Sequence, residues 1–392
     1  MFLSGRSREG AATIGDDGSG ERTRPGSHRG ACASRNHNAP ERRVGDILAG
    51  HSRSPGASLA GARAGRVGRP GRLDRRESHM ADQQVPSKAR MEEIFESVKN
   101  WGRWGADDEA GALNLITEEV RRGAAAAVRH GRAVSCALDL PVDPDVDNPH
   151  PALHMMVVGG DDCLVPEIGL EATMDFVGIA FHGAASSHLD ALCHVLVDAK
   201  MYNGFPASEV KSTGAKRGSV MCAKDGIVSR GVLLDIPRAL GVPWLEPGTS
   251  IVPDQLEKAE AEQGVEVREG DILLVATGRD ARRERHGRWS PMEDGFAGLH
   301  AECVPWIHER GVAVLGSDAI SDVIPGPPVE GWIMPVHQCA LVAMGVHLLD
   351  NLHLGDVMAA CVELAQWDFQ FTVAPLRIEG GTGSPVNPIA LL

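Results

Sequence analysis

FHGAASSHLDALCH, residues 181–194, is the stretch on which the reading of this chain turns. Its His182, His188, Asp190 and His194 share one parity of residue number. In an extended strand, side chains of one parity point to one face. The run therefore presents three imidazoles and a carboxylate to a common point, a donor set that suits a divalent ion of zinc type. The tightest pair, His188 and Asp190, stands at i and i+2, which is a strand spacing and not a helical one. One histidine beside a strand is ordinarily a satisfied or solvent-facing residue. Three of them with an aspartate between ask for a metal. Cys193, of the opposite parity, reads as a small buried residue.

Working outward, VGIAFHG reads as a strand leading into this run and KMYNGFPASEV follows it. Upstream, Met91, Ile94, Phe95 and Val98 fall at helical spacing. Thr117 is a good N-cap for a helix ending near Gly131, with Glu118 and Glu119 favourable in its first turn. VSCALDLPV reads as a strand, and residues 143–173, with His150 and His154, read as a loop-rich region. GIVSRGVLLDI and GDILLVATGRD predict strands; the second ends in Thr277-Gly278, whose backbone amides are expected to be open to a ligand. GLHAECVPWIHERG reads as an amphipathic helix capped by Gly311 and followed by a strand ending at Asp318. Val336-His337-Gln338 opens a helix running to Gly345, and a last strand falls near QFTVAPLRI. Strands alternate with helices and nothing repeats, which predicts a single α/β domain. There is no dinucleotide-binding glycine pattern, P-loop or nucleophile elbow.

The phrase SHLDALCH resembles the motif H-x-G-T-H-x-D-x-P-x-H of the cyclase family of metal-dependent hydrolases, which includes bacterial kynurenine formamidase and isatin hydrolase. The motif's second histidine falls on His188, its aspartate on Asp190 and its last histidine on His194. Its first histidine falls on Ala184, which cannot ligate, and we expect His182 to supply that imidazole, with Gly183 permitting the necessary kink. WGADDEAGALNLIT, KMYNG and the GTGSP ending also resemble the family, in order along residues 90–392. The resemblance implies two further ligands, His337 at a helix start and Asp350, where the family usually carries glutamate. It implies a swivelling β/β/α fold, a mixed sheet with flanking helices, in a homo-oligomer.

With 392 residues and 43% hydrophobic content, the chain can bury a large core, and no apolar run is long enough to span a membrane. The formal net charge of -14 argues against a nucleic-acid partner. The eight cysteines form no C-x-x-C pair and read as thiols in a reducing, cytoplasmic setting. Residues 1–79 carry arginine but no lysine, with Phe2 the sole aromatic. They resemble translated upstream sequence, with Met80 as the natural start; a transit peptide and a basic arm are the other readings. We expect an Arg/Gly-rich disordered extension over 1–88 and the hydrolase domain over 89–392.

The expected activity is metal-dependent hydrolysis of a C–N amide bond in a small molecule such as N-formylkynurenine. Zn2+, or Mn2+ in its place, would be held by His182, His188, Asp190, His337 and Asp350, and His194 would act as general acid/base. The alternatives are a cyclase or a hydrolase of cyclic amides or lactones with the same metal site, a degenerate member that binds without turnover, and a non-enzymatic scaffold.

Overall fold

The computed structural model describes residues 85–392 apart from 163, 166 and 167. The expectations for residues 1–84 lie outside these. The first helix, α1 (Lys88–Ser97), begins just before the expected domain boundary, where the Ser87 side chain accepts the Arg90 amide. It buries Met91, Ile94 and Phe95. Helix α2 (Glu118–Ala126) is capped by Thr117 as expected, but it stops five residues short of Gly131. Strand β1 (Ala133–Ser135) is only three residues long.

The region read as loop, 143–173, contains one strand, and a second begins just beyond it. β2 (Leu153–Val158) and β3 (Met174–Gly178) form an antiparallel ribbon bonded to no third strand among the described residues. Periodicity missed it because neither face is buried, so its residues do not alternate between apolar and polar.

Two further short pairs, Val210–Lys211 with Gly214–Ala215 and Ser250–Ile251 with Gly298–Leu299, stand apart, and eight strands join β1 in the main sheet. They are β4 (His188–Asp190), β5 (Ile227–Asp235), β6 (Ile272–Ala276), β7 (Val314–Ser317), β8 (His347–Asp350), β9 (Asp368–Val373), β10 (Gly383–Pro385) and β11 (Ile389–Leu391). With β1 they make nine strands in the order β1-β11-β9-β5-β6-β7-β8-β4-β10. Strands β5 to β8 run parallel, and the outer pairings are antiparallel. The parallel centre explains the sequence ILLVA of β6, which is buried along its whole length because both faces are covered. Leu273, Val275, Leu315 and Leu348 pack on one side, with Leu256 and Ala259 of α3 (Pro253–Gln263). Ile272, Leu274, Val314 and Leu349 pack on the other, with Val357 and Ala360 of the helix Gly355–Leu364.

Between β6 and β7 lie α4 (Arg279–His286) and α5 (Cys303–Glu309), the latter shorter than the helix expected there. The helix expected at His337 begins as α6 (Pro335–His337) and continues as a π-helical segment, Gln338–Met344, ending at Gly345 in a left-handed cap. A π segment is often found beside functional groups, and this one follows His337. The helix Gly355–Leu364 is α7. No helix among the described residues is long and apolar enough to cross a membrane.

Candidate metal centre

Three strand ends and two loops place the site. Pairing of β8 with β4 sets Asp350 opposite His188, and pairing of β10 with β4 sets Gly383 opposite Asp190. Only His188, Leu189 and Asp190 are extended, so the expected long strand does not exist and parity cannot account for His182 and His194. Both reach the centre from irregular backbone on either side. His182 Nδ1 lies 2.9 Å from Asp190 Oδ1, His188 Nε2 3.4 Å and His194 Nε2 3.9 Å. From the other side, His337 Nε2 lies 3.6 Å from Asp190 Oδ2 and 3.0 Å from Asp350 Oδ2. Two groups of converging donors result, His182/His188/Asp190 and Asp190/His337/Asp350, with Asp190 common to both.

The donor set fits one or two divalent ions. Asp190 is buried, yet neither of its oxygens, nor His182 Nδ1, has a hydrogen-bond partner of proper geometry. A buried carboxylate left in that state is costly, and native structures rarely tolerate it. The short distances without hydrogen-bond direction are those of ligands turned toward a shared point. The far sides of the rings are held as metal-ligating histidines require. His188 Nδ1 is 2.9 Å from the Ser186 carbonyl, leaving Nε2 for the centre. His337 Nδ1 is 2.7 Å from Asp322 Oδ2, and His182 Nε2 is 3.0 Å from Thr382 Oγ1. Asp350 Oδ1 accepts from the Ser321 hydroxyl at 2.9 Å and the Ser321 amide at 3.2 Å.

Charge follows the same geometry. Burial works to raise the Asp190 carboxyl, but the surrounding imidazoles of His182, His188 and His194 outweigh it and hold the group well below the usual carboxylate range. Burial would lower His337; the carboxylates of Asp350 and Asp322 reverse that and lift it well above its ordinary value. Burial lowers His194 to about 4. Its ring stacks parallel on that of His182, with centroids 3.8 Å apart, and remains partly open to solvent.

Several expectations end elsewhere. The amides at Thr277 and Gly278 are not free for a ligand: with the Arg279 amide they donate to the Asp318 carboxylate at 2.8 to 3.0 Å. Asp318 thus caps α4 from within. His154 Nε2 pairs with Asp175 Oδ2 across the exposed ribbon at 3.1 Å. Cys193, by contrast, is buried as expected, and burial pushes its thiol up to about 11. Reasoning on the sequence missed Asp322, Ser321 and Thr382. Thr382 sits in the GTGSP phrase, a signal that was available; nothing about Asp322 in SDAISD marks it.

Comparison with known proteins identifies the family. Residues 122–322 match the family model described as "Putative cyclase", which is just over half of the chain. The crystal structure of a novel cyclase superposes with a TM-score of 0.67 at 30% identity, covering 76% of this chain and 99% of that one. The chain belongs to the cyclase family. Kynurenine formamidase of Bacillus cereus is 28% identical over 108 residues, 28% of this chain and 46% of that enzyme. The chain therefore matches about half the length of that curated relative. An isatin hydrolase bound to the product analogue thioisatinate covers 70% of this chain and 98% of its own at 18% identity and a TM-score of 0.49.

Proposed function

We propose that this chain is a metal-dependent hydrolase of C–N amide bonds, arylformamidase-like, with N-formylkynurenine as the leading substrate. The observation that carries the reading is the buried Asp190 carboxylate, unpartnered by hydrogen bonds and shared between two groups of metal-type donors. His182, His188, Asp190, His337 and Asp350 would hold zinc, or manganese in its place. Once bound, the ion supplies Lewis acidity, polarising a carbonyl and acidifying water.

The chain's own residues supply the rest. His194 is neutral at pH 7 because burial lowers it, so its Nε2 can take the proton of the attacking water as oxygen adds to the formyl carbon. The same nitrogen then delivers that proton to the amine nitrogen as the C–N bond breaks, giving free amine and formic acid, which loses its remaining proton to water as formate. Asp322 and Thr382 keep the rings of His337 and His182 turned inward. The same centre would serve hydrolysis of a cyclic amide or lactone, the second reading. The non-catalytic reading rests on Ala184, and the presence of His182 in the centre speaks for turnover instead.

The test is elemental analysis of the purified full chain, with hydrolysis of N-formylkynurenine assayed beside cyclic amides and lactones. Bound zinc or manganese with N-formylkynurenine cleavage is expected. Metal with activity only on ring substrates would move the assignment to the second reading, and a metal-free inert protein would end it. His194→Ala should retain its metal while turnover falls by roughly 100-fold or more, the scale of general acid–base help. Loss of metal in that variant would make His194 a ligand.

Self-association of this chain belongs to the same reading, supported by the ribbon. Leu153, Met155, Met156, Val157, Met174, Phe176 and Val177 are all exposed on it. Leu153, Met155 and Phe176 share one face of the ribbon and Met156 and Val177 the other, so apolar side chains stand in water on both faces, as at interaction surfaces. A lone two-stranded ribbon is also marginal in water. We expect Met155→Lys with Phe176→Lys to convert an oligomer to monomer in light scattering; a wild-type monomer at tens of micromolar would remove the idea.

A further inference from the structure

His182 has to be carried into the centre by something other than a strand. It precedes Gly183, whose φ of +144° belongs to a region that side-chain-bearing residues rarely adopt. The loop from there to His188 is gripped through its carbonyls. Asn351 Nδ2 donates to Gly183 O at 2.6 Å and to Ser186 O at 3.3 Å. Arg279 Nη2 donates to Ala184 O at 2.6 Å. The two gripping side chains are themselves joined, Arg279 Nη1 to Asn351 Oδ1 at 2.8 Å. Both are buried. The guanidinium is fixed further by the Asp318 carbonyl at 3.1 Å and lies 4.8 Å from the Phe296 ring centre. Asn351 directly follows Asp350, so one short segment supplies both a metal-type donor and half of the clamp.

The ring itself is set from the opposite side. His182 Nε2 lies 3.0 Å from Thr382 Oγ1, and donation of an Nε2–H to that oxygen would leave the Nδ1 lone pair for a metal beside Asp190. The space beside it is kept open by Gly383: a Cβ there would overlap the Leu189 carbonyl and come 3.0 Å from His182 Cε1. Ala184, the position at which the motif's own imidazole is missing, is the residue whose carbonyl Arg279 holds.

We propose that Arg279, Asn351 and Thr382 are positioning residues whose joint effect is to hold His182 Nδ1 in the metal centre in place of the imidazole absent at Ala184. This rests on the metal-centre reading above. Arg279 and Asn351 act on the backbone of the loop, and Thr382 on the tautomer and tilt of the ring. None of the three touches substrate or metal.

The test measures binding of Zn2+ alone to the metal-stripped full chain by competition with a chromophoric chelator, in a double-mutant cycle. His182→Ala should weaken binding by about 100-fold or more, beyond the ~10–100-fold cost of losing an outer-shell partner. Thr382→Val, nearly isosteric, and Arg279→Lys, which cannot reproduce the guanidinium fork, should each weaken it by about 10-fold or more. In the His182→Ala background each should change the affinity by less than about 2-fold, because a residue acting through His182 has nothing left to act on. In Co2+-loaded protein the visible spectrum of Thr382→Val should shift toward that of His182→Ala. Wild-type affinity in Thr382→Val, or losses that persist undiminished without His182, would overturn the positioning role and leave the metal reading standing. Wild-type affinity in His182→Ala would overturn His182 as a ligand, and the positioning role with it. Should Arg279→Lys fail to fold, Thr382→Val decides alone.

Discussion

Asp190→Asn is expected to leave a folded protein that no longer retains metal and no longer turns over substrate. Asp190 is the one residue common to both donor groups. The amide keeps the shape of the carboxylate, but it removes the negative charge and replaces one acceptor with a donor aimed among ring nitrogens. Zn2+ affinity should fall by more than the ~10–100-fold that outer-shell partners are worth. Stoichiometric metal and normal activity in Asp190→Asn would remove the residue from the site.

Asp322→Asn should be nearly as damaging, although Asp322 belongs to neither donor group. Its Oδ1 accepts the Val336 amide at 2.7 Å; its Oδ2 accepts the His337 amide at 2.9 Å and faces His337 Nδ1 at 2.7 Å. Every partner is a donor, so an amide nitrogen at either position meets an N–H head-on. Burial is complete, which leaves no water to repair the mismatch. Because Asp322 both starts the turn into α6 and turns Nε2 of His337 toward the centre, zinc affinity should drop by about 10–100-fold and thermal stability should fall together with it. Asp322→Glu should not restore either. Unchanged zinc binding in Asp322→Asn would mean that the His337 ring is held by packing alone.

The donor types were legible before the fold was. His188 and Asp190 two apart read as a strand-borne pair, the family resemblance added His337 and Asp350, and the strand register sets Asp350 opposite His188. Parity places neither His182 nor His194, because only three residues are strand; the kink that the sequence offers at Gly183 and a turn after Asp190 do so instead. The strand Leu153–Val158 reads as loop in the sequence because the signal of a strand is one-sided burial, and this strand has none.

What this sequence determined by itself is chemistry that short-range spacing can carry: the kind of donor, the buried strand ILLVA, the Thr117 cap and the membership signalled by SHLDALCH and GTGSP. Those signals survive because each depends on neighbours in the chain. Tertiary structure alone decided which far-apart groups serve those donors. Asp322 reaching His337, Thr382 reaching His182, and Arg279 with Asn351 holding the loop at Ala184 join residues 15, 200, 95 and more than 160 positions apart. Side-chain hydrogen bonds to carbonyls and rings impose no periodicity on sequence, so no pattern announces them. They exist only once a nine-stranded sheet has brought its β4, β8 and β10 ends together.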